Sequence, residues 1–218
     1  MAQHASEAVE MYLRTVLELQ EEGVPPLRAR LSERLELSAP AVSEGVSRLE
    51  QLGLAHLESD RTISLTEQGR EMAEHVMRKH RLAERLLIDV LGLEYEHVHE
   101  EACRWEHVIS DRVEAKLIEF LGNPTTSPYG NPIPGSPTAP GSAPVSLDRT
   151  DADEVVIRYL SEHLQSEHVV VQQLDEHGMR SGITVGVDRR ADGVVLSRDG
   201  AEVLLDADAA RLVFVTAG

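Results

Sequence analysis

His80 and Glu84 stand four residues apart in a helical pattern, so both side chains project from one face. Cys103, Glu106 and His107 follow at i, i+3 and i+4 in the next helical stretch, and His99 lies one turn before Cys103. Imidazole, carboxylate and thiolate are the side-chain ligand types that hold late first-row divalent metals. A lone His–Glu pair at this spacing is more often a surface ion pair; the Cys-x-x-Glu-His triplet is more specific. From residue type and spacing two readings stay open: a divalent-metal centre, and a buried cysteine beside a charged face. A catalytic Cys/His pair is less well supported, because no orienting third group and no oxyanion loop accompany it.

The elements that must carry these residues are legible from periodicity and caps. Ser6 caps a helix whose apolar positions Val9, Tyr12, Leu13, Val16 and Leu17 run toward Gly23. Residues 27–35 read as a short helix and 36–38 as a tight turn. Ser38-Ala39-Pro40 reads as the cap and first turn of a helix ending near Leu52. Two extended pieces, 54–58 and 62–65, are joined by Ser59-Asp60-Arg61. Helix, turn, helix and hairpin in this order spell a winged helix-turn-helix, whose second helix enters the major groove while the wing reaches the backbone. Leu31, Leu35, Leu37, Val42, Val46, Leu49 and Leu52 supply its core, leaving Arg28, Arg30, Ser38, Ser43, Glu44 and Arg48 for outer faces. A plain three-helix core, or a winged helix used for protein contacts, is the alternative.

Thr66 caps a helix reaching about residue 90, and one further helix is expected from residue 95 or 98 to 121. Seven of the ten prolines fall in residues 123–145, which marks a linker. Beyond it, β-branched runs at 155–160, 169–171, 183–187, 193–197, 203–205 and 212–215 predict six short strands and a small barrel, with 160–167 partly helical. The expectation is a mainly α protein with a β C-terminal domain, divided at residues 1–74, 75–140 and 141–218.

Composition bounds the function. The 218 residues include 21 Lys+Arg and 38 Asp+Glu, a formal charge of −17. Hydrophobic residues at 41% suffice for a folded core. Aromatics at 3% argue against single-strand nucleic-acid binding on stacking platforms. No apolar run approaches a membrane span, no signal peptide is evident, and one cysteine excludes an internal disulfide, so a cytoplasmic protein is expected. An acidic chain repels phosphates. The acidity is spread evenly, however, at net −7, −3 and −7 over residues 1–75, 76–140 and 141–218, and the window 25–48 has four Arg against three Glu.

Longer motifs carry a resemblance. Glu10-Met11-Tyr12-Leu13-Arg14-Thr15, Leu27-Arg28-Ala29-Arg30, Met77-Arg78-Lys79-His80-Arg81-Leu82-Ala83-Glu84, Glu101-Ala102-Cys103-Arg104-Trp105-Glu106-His107-Val108 and Gly130-Asn131-Pro132-Ile133-Pro134-Gly135 closely resemble the iron-dependent regulators typified by the diphtheria toxin repressor. The match is dense over residues 6–135 and thinner to the C-terminus.

The resemblance implies a homodimeric repressor activated by ferrous iron, which binds palindromic double-stranded DNA operators of iron-homeostasis genes. It implies a winged-helix domain, a helical dimerisation and metal domain, and a Src-homology-3-like barrel. Two metal sites per subunit are implied. The primary site would use Met11, Cys103, Glu106 and His107. The ancillary site would use His80, Glu84 and His99, with Glu162 and Gln165 from the barrel. On residue pattern alone Met11 is an ordinary core methionine; only the resemblance makes it a ligand. Co2+, Ni2+, Mn2+ or Zn2+ would substitute for iron in vitro. DNA contacts are expected from Arg28, Ser38, Ala39, Pro40, Ser43, Glu44, Arg48 and Arg61. The recognition region departs from typical members at Leu37, Ala41, Glu44 and Gln51, which puts the operator sequence in question. The rival readings are a manganese-responsive regulator, which would be expected to place carboxylates at Met11 and Cys103, a metalloenzyme without DNA binding, and a pure interaction module.

Overall fold

A computed structural model describes residues 6–137 and 143–218. The chain divides into two compact units, residues 1–79 and 80–218.

The first unit holds α1 (Glu7–Glu21), α2 (Arg28–Leu35), α3 (Ala39–Gln51), the hairpin β1 (Ala55–Leu57) and β2 (Ile63–Leu65), and the start of α4 (Glu67–Asp89). Leu13, Val16, Leu19, Leu31, Val42, Val46 and Leu49 are fully buried at its centre. Leu35 and Leu37 only flank that core, and Leu52, expected inside it, is exposed because α3 ends one residue earlier and turns it outward. Met11 is exposed too, at 37%, which removes the core reading of this side chain. The Ser38 hydroxyl caps α3 by accepting from the Ala41 amide at 3.4 Å. β1 and β2 are antiparallel, with His56 opposite Ser64. Their turn is set by Asp60, which accepts from the amide and the hydroxyl of Thr62 at 3.0 and 2.6 Å.

The second unit begins in α4 and continues through α5 (Val98–Trp105), α6 (Asp111–Phe120), β3 (Val145–Ser146), β4 (Glu154–Leu160), α7 (Glu162–Gln165), α8 (His168–Glu176), β5 (Thr184–Arg190), β6 (Gly193–Arg198), β7 (Ala201–Leu205), α9 (Ala207–Arg211) and β8 (Val213–Ala217). The sheet is antiparallel throughout, in the order β3-β8-β4-β5-β6-β7.

Two expectations need correction. The single helix expected to end at residue 121 is two, α5 and α6. Ser110 starts the second by accepting from the Val113 amide at 3.4 Å, and the buried Ile109 anchors the break. The β-branched run 169–171 lies in α8, not in a strand. Val171 and Leu174, three apart, are both fully buried, and that helical burial overrides local β preference. The sixth strand is instead β3. Ala83, Leu87, Val98 and Ala102 of the helices share one apolar core with Val155, Ile157, Leu164 and Val215 of the sheet region. The proline-rich stretch falls partly on residues 138–142, which lie outside the described residues.

Gly130 pins a described part of that stretch. Its φ is +95°, and a Cβ there would sit 2.0 Å from the Arg158 carbonyl oxygen, a backbone atom of β4 with no room to yield. The Tyr129 carbonyl accepts from the Leu160 amide at 3.1 Å beside it. Gly130→Ala combines left-handed strain with a backbone clash, so a loss of about 2–4 kcal/mol is expected in chemical denaturation. Wild-type stability in that variant would show that the loop does not dock as described.

Candidate metal centre

α4 presents His80 and Glu84 on one buried face. α5 brings His99, and α7, capped by the Ser161 hydroxyl accepting from the Leu164 amide, brings Glu162. One ligand atom from each of these four side chains lies within 4.8 Å of all the others. His80 Nε2 is 2.9 Å from Glu84 Oε1, 3.2 Å from His99 Nδ1 and 3.5 Å from Glu162 Oε2. His99 Nδ1 is 3.5 Å from Glu84 Oε1 and 3.4 Å from Glu162 Oε2.

The donor set fits a divalent cation. Two imidazole nitrogens and two carboxylates converge in a site closed to solvent. Glu84 Oε2 and Glu162 Oε2 are buried and accept no hydrogen bond. Buried carboxylate oxygens without a hydrogen bond are costly unless a cation serves them.

Electrostatics supports the same reading. Burial works against charged imidazoles at His80 and His99. Glu84, with close polar contacts to Cys103, Glu106 and Glu162, outweighs it at His80. The Cys103 charge and hydrogen bonds outweigh it at His99. Both rings are raised well above their usual range. Burial likewise pushes the two carboxyls up, but His80 holds Glu84 low, and Arg81 with the two imidazoles holds Glu162 well below its usual range. The metal-free cluster therefore stores positive charge on the imidazoles.

Arg81 was not singled out from sequence. It is completely buried, and its Nε and Nη2 both donate to Glu162 Oε1 at 2.9 Å, while Nη1 donates to the Pro132 carbonyl. One carboxylate oxygen is thus occupied and the other faces the imidazoles. Gln165 is buried beside this group. Its amide nitrogen donates to the Leu160 carbonyl at 2.8 Å and to Asn131 Oδ1 at 3.0 Å, and its Oε1 accepts nothing. Asn131 is a second residue that local pattern did not reveal; its only signal is its place in the Gly130-Asn131-Pro132 motif.

The remaining expected ligands behave differently. Cys103 Sγ lies 3.6 Å from His99 Nε2 and clusters with His80 and His99. Helix α5 ends at Trp105, but Glu106 keeps helical torsions, so its one-turn relation to Cys103 survives. Glu106 Oε2 is 2.7 Å from His80 Nδ1, and Glu106 Oε1 is 3.3 Å from His107 Nε2. Met11 belongs to the other compact unit.

The expected DNA contacts all lie in the first unit. Ser38, Ala39, Pro40, Glu44, Arg48 and Arg61 are exposed, and Arg28 and Ser43 are half-buried. The Tyr12 hydroxyl of α1 donates to the Ala41 carbonyl of α3 at 3.2 Å. A Cβ at Gly45 would fall 2.3 Å from the Tyr12 ring, so α1 and α3 touch where α3 has no side chain.

A winged helix-turn-helix in one unit and a buried His/Glu cluster in the other define a metal-dependent DNA-binding regulator. Comparison with known proteins makes this specific. Residues 4–63 match the iron dependent repressor N-terminal DNA binding domain, and residues 66–135 match the iron dependent repressor metal binding and dimerisation domain. The chain is 50% identical over 200 residues to the iron-dependent repressor IdeR of Mycobacterium tuberculosis, covering 87% of each chain. It is 44% identical over 216 residues to the diphtheria toxin repressor of Corynebacterium diphtheriae, covering 95% of this chain and 96% of that one. A solved structure of a manganese-dependent transcriptional repressor in complex with manganese superposes with a TM-score of 0.82 at 30% identity, covering 96% of this chain and 99% of that one. The chain belongs to the iron-dependent repressor family, which comprises metal-activated transcriptional regulators and not enzymes. Among the described residues, no helix is long and apolar enough to cross a membrane.

The cluster sets a pH window for the metal-free protein. His80 and His99 are raised above 6.5, so their contribution is complete below pH 6.5 and is lost as pH rises through the folded-state values. Glu84 and Glu162 are lowered below 4.5, so theirs is present above pH 4.5 and is lost as pH falls. Thermal unfolding in chelator is expected to peak between these limits. A stability that keeps rising from pH 6.5 to 9 would contradict the assignment of charge.

Proposed function

We propose that this protein is a homodimeric repressor activated by ferrous iron, acting in the cytoplasm on palindromic operators of iron-homeostasis genes. The observation that carries the metal part is the buried convergence of His80, Glu84, His99 and Glu162 around carboxylate oxygens without hydrogen bonds. This cluster, with Gln165, is the ancillary site of the reading. Met11, Cys103, Glu106 and His107 form its primary site. Residues 1–74 are assigned to DNA binding, 75–140 to dimerisation and metal binding, and 141–218 to a Src-homology-3-like barrel.

Ferrous iron is proposed over manganese because a thioether and a thiolate make the primary donor set softer than carboxylates alone. Affinity order by itself would favour nickel, copper or zinc, so metal availability shares in selecting iron. When bound, the ion supplies a positive centre that holds these donors together. The primary set takes Met11 from α1 and its other ligands from the second unit. Tyr12, the next residue on α1, contacts α3 at Ala41 and Gly45, so restraining α1 restrains the recognition helix. Switching requires that the metal favour the DNA-competent state over its alternatives. A dimer sets two recognition helices about one DNA turn, or a small multiple, apart, which calls for a palindrome.

A gel shift on a palindromic promoter fragment, run anaerobically, is expected to show binding about 5–150-fold tighter with ferrous ion than with chelator. Met11→Ala and Glu106→Ala are expected to remove that difference. DNA binding that ignores chelator would sink the switch, and a wild-type metal response in both variants would refute the primary ligand set.

A further inference from the structure

His80 and His99 each face two ways. His80 turns Nε2 toward Glu84, His99 and Glu162, and turns Nδ1 to Glu106 Oε2 at 2.7 Å. His99 turns Nδ1 inward and Nε2 toward Cys103 Sγ at 3.6 Å. The His80 and Glu106 side chains are 0% and 1% exposed, so no water competes for this contact. An imidazole that ligates a metal through one nitrogen has its tautomer and ring orientation fixed by what the other nitrogen donates to, and a carboxylate is the strongest such partner.

We propose that Glu106, beyond serving as a primary ligand, is the positioning residue of the ancillary site: it holds the proton of His80 on Nδ1 and leaves Nε2 to the metal. This deepens the two-site reading above and rests on it. Glu106 divides its oxygens between the two sites, Oε2 for His80 and Oε1 toward His107, 3.3 Å from Nε2. The Cys103–His99 contact repeats the arrangement with a weaker partner. Each of the two imidazoles is therefore backed by a proposed primary ligand.

The test uses the full chain with Met11→Ala as background, which disables the primary site without touching any residue around His80. Cobalt(II) binding is measured by equilibrium dialysis in Met11→Ala and in Met11→Ala combined with Glu106→Ala or Glu106→Gln. Removing a carboxylate behind a ligating histidine typically weakens metal affinity about 10–100-fold, so a loss in that range is expected for Glu106→Ala and a smaller one for Glu106→Gln, whose amide oxygen still accepts. Affinity within about threefold of the background in both variants would overturn the proposal, since that is below the usual cost of losing such a partner. Where Glu106→Ala does not fold, the His80 tautomer decides. In zinc-loaded Met11→Ala protein, nitrogen NMR is expected to find the proton on Nδ1 and zinc on Nε2, and zinc on Nδ1 would overturn the proposal. His80→Ala in the Met11→Ala background separates the two levels: undiminished cobalt binding there refutes the ancillary site itself, whatever Glu106 does.

Discussion

Arg81 and Glu162 are separated by most of the second unit in sequence and are both out of contact with water. Taking two such ions out of water costs several kcal/mol each, and only full hydrogen bonding offsets it. Here the guanidinium gives two donors to one carboxylate oxygen and a third to the Pro132 carbonyl. The pairing ties α4 to α7 and, through Pro132, to the proline-rich stretch. It lies beside the apolar core that helices and sheet share. It also determines the chemistry of the site. With Oε1 of Glu162 engaged, Oε2 is left facing two imidazoles, and the arginine charge keeps that carboxyl ionised. A buried ion pair is weak evidence for stability but can specify one arrangement, and here the arrangement is a candidate ligand set.

That ligand set does not by itself choose a metal. Imidazole and carboxylate in equal number serve manganese, iron, cobalt and zinc alike, which accords with the likeness of this fold to a manganese-dependent repressor. Any preference for iron in the proposed reading must come from Met11 and Cys103. Cys103 lies beside His99, and Met11 stands exposed on α1. An exposed methionine in a helix otherwise lined by buried Val9, Tyr12, Leu13, Val16 and Leu17 has no packing reason to be a methionine. Its side chain is available to a partner that the apolar core does not supply.

How far these features could be read in advance follows from the range of the interactions that make them. Caps and periodicity are local, so α1, α2, α3, the wing hairpin and the start of α4 were legible to within a residue or two. The pairing of His80 with Glu84, and the placing of His99 one turn before Cys103, were legible for the same reason. The break at Ser110 was missed although a Ser-Asp cap is a local signal, because the apolar positions on either side continue a plausible helical period. The 169–171 run was misread because three valines state a strand preference that only the burial of Val171 and Leu174 overrides. Glu162, Gln165 and Arg81 were beyond any local signal. Their roles arise from contacts between distant parts of the chain, Arg81 with Glu162 and Asn131 with Gln165, and only the family resemblance reached the first two. Arg81 was hidden by composition: in a chain rich in arginine, one more next to a histidine carries no mark of burial.

The charge of −17 is reconciled with DNA binding by where the carboxylates are, not by how many there are. Glu84, Glu106 and Glu162 are buried and directed at imidazoles, arginine or each other, so they contribute little field at the protein surface. Glu22 and Glu18 are likewise turned inward onto arginines, Arg34 and Arg14. The outer face of the first unit offers Ser38 at the N-terminus of α3, Arg48, and Arg61 at the wing tip. A helix N-terminus and a serine hydroxyl contact phosphates through dipoles and hydrogen bonds without requiring net positive charge. Such a surface is expected to bind DNA of any sequence weakly, because it would release few counterions. Weak background affinity is what a conditional repressor requires, since the free energy that metal adds can then decide occupancy instead of being lost beneath a large unconditional term.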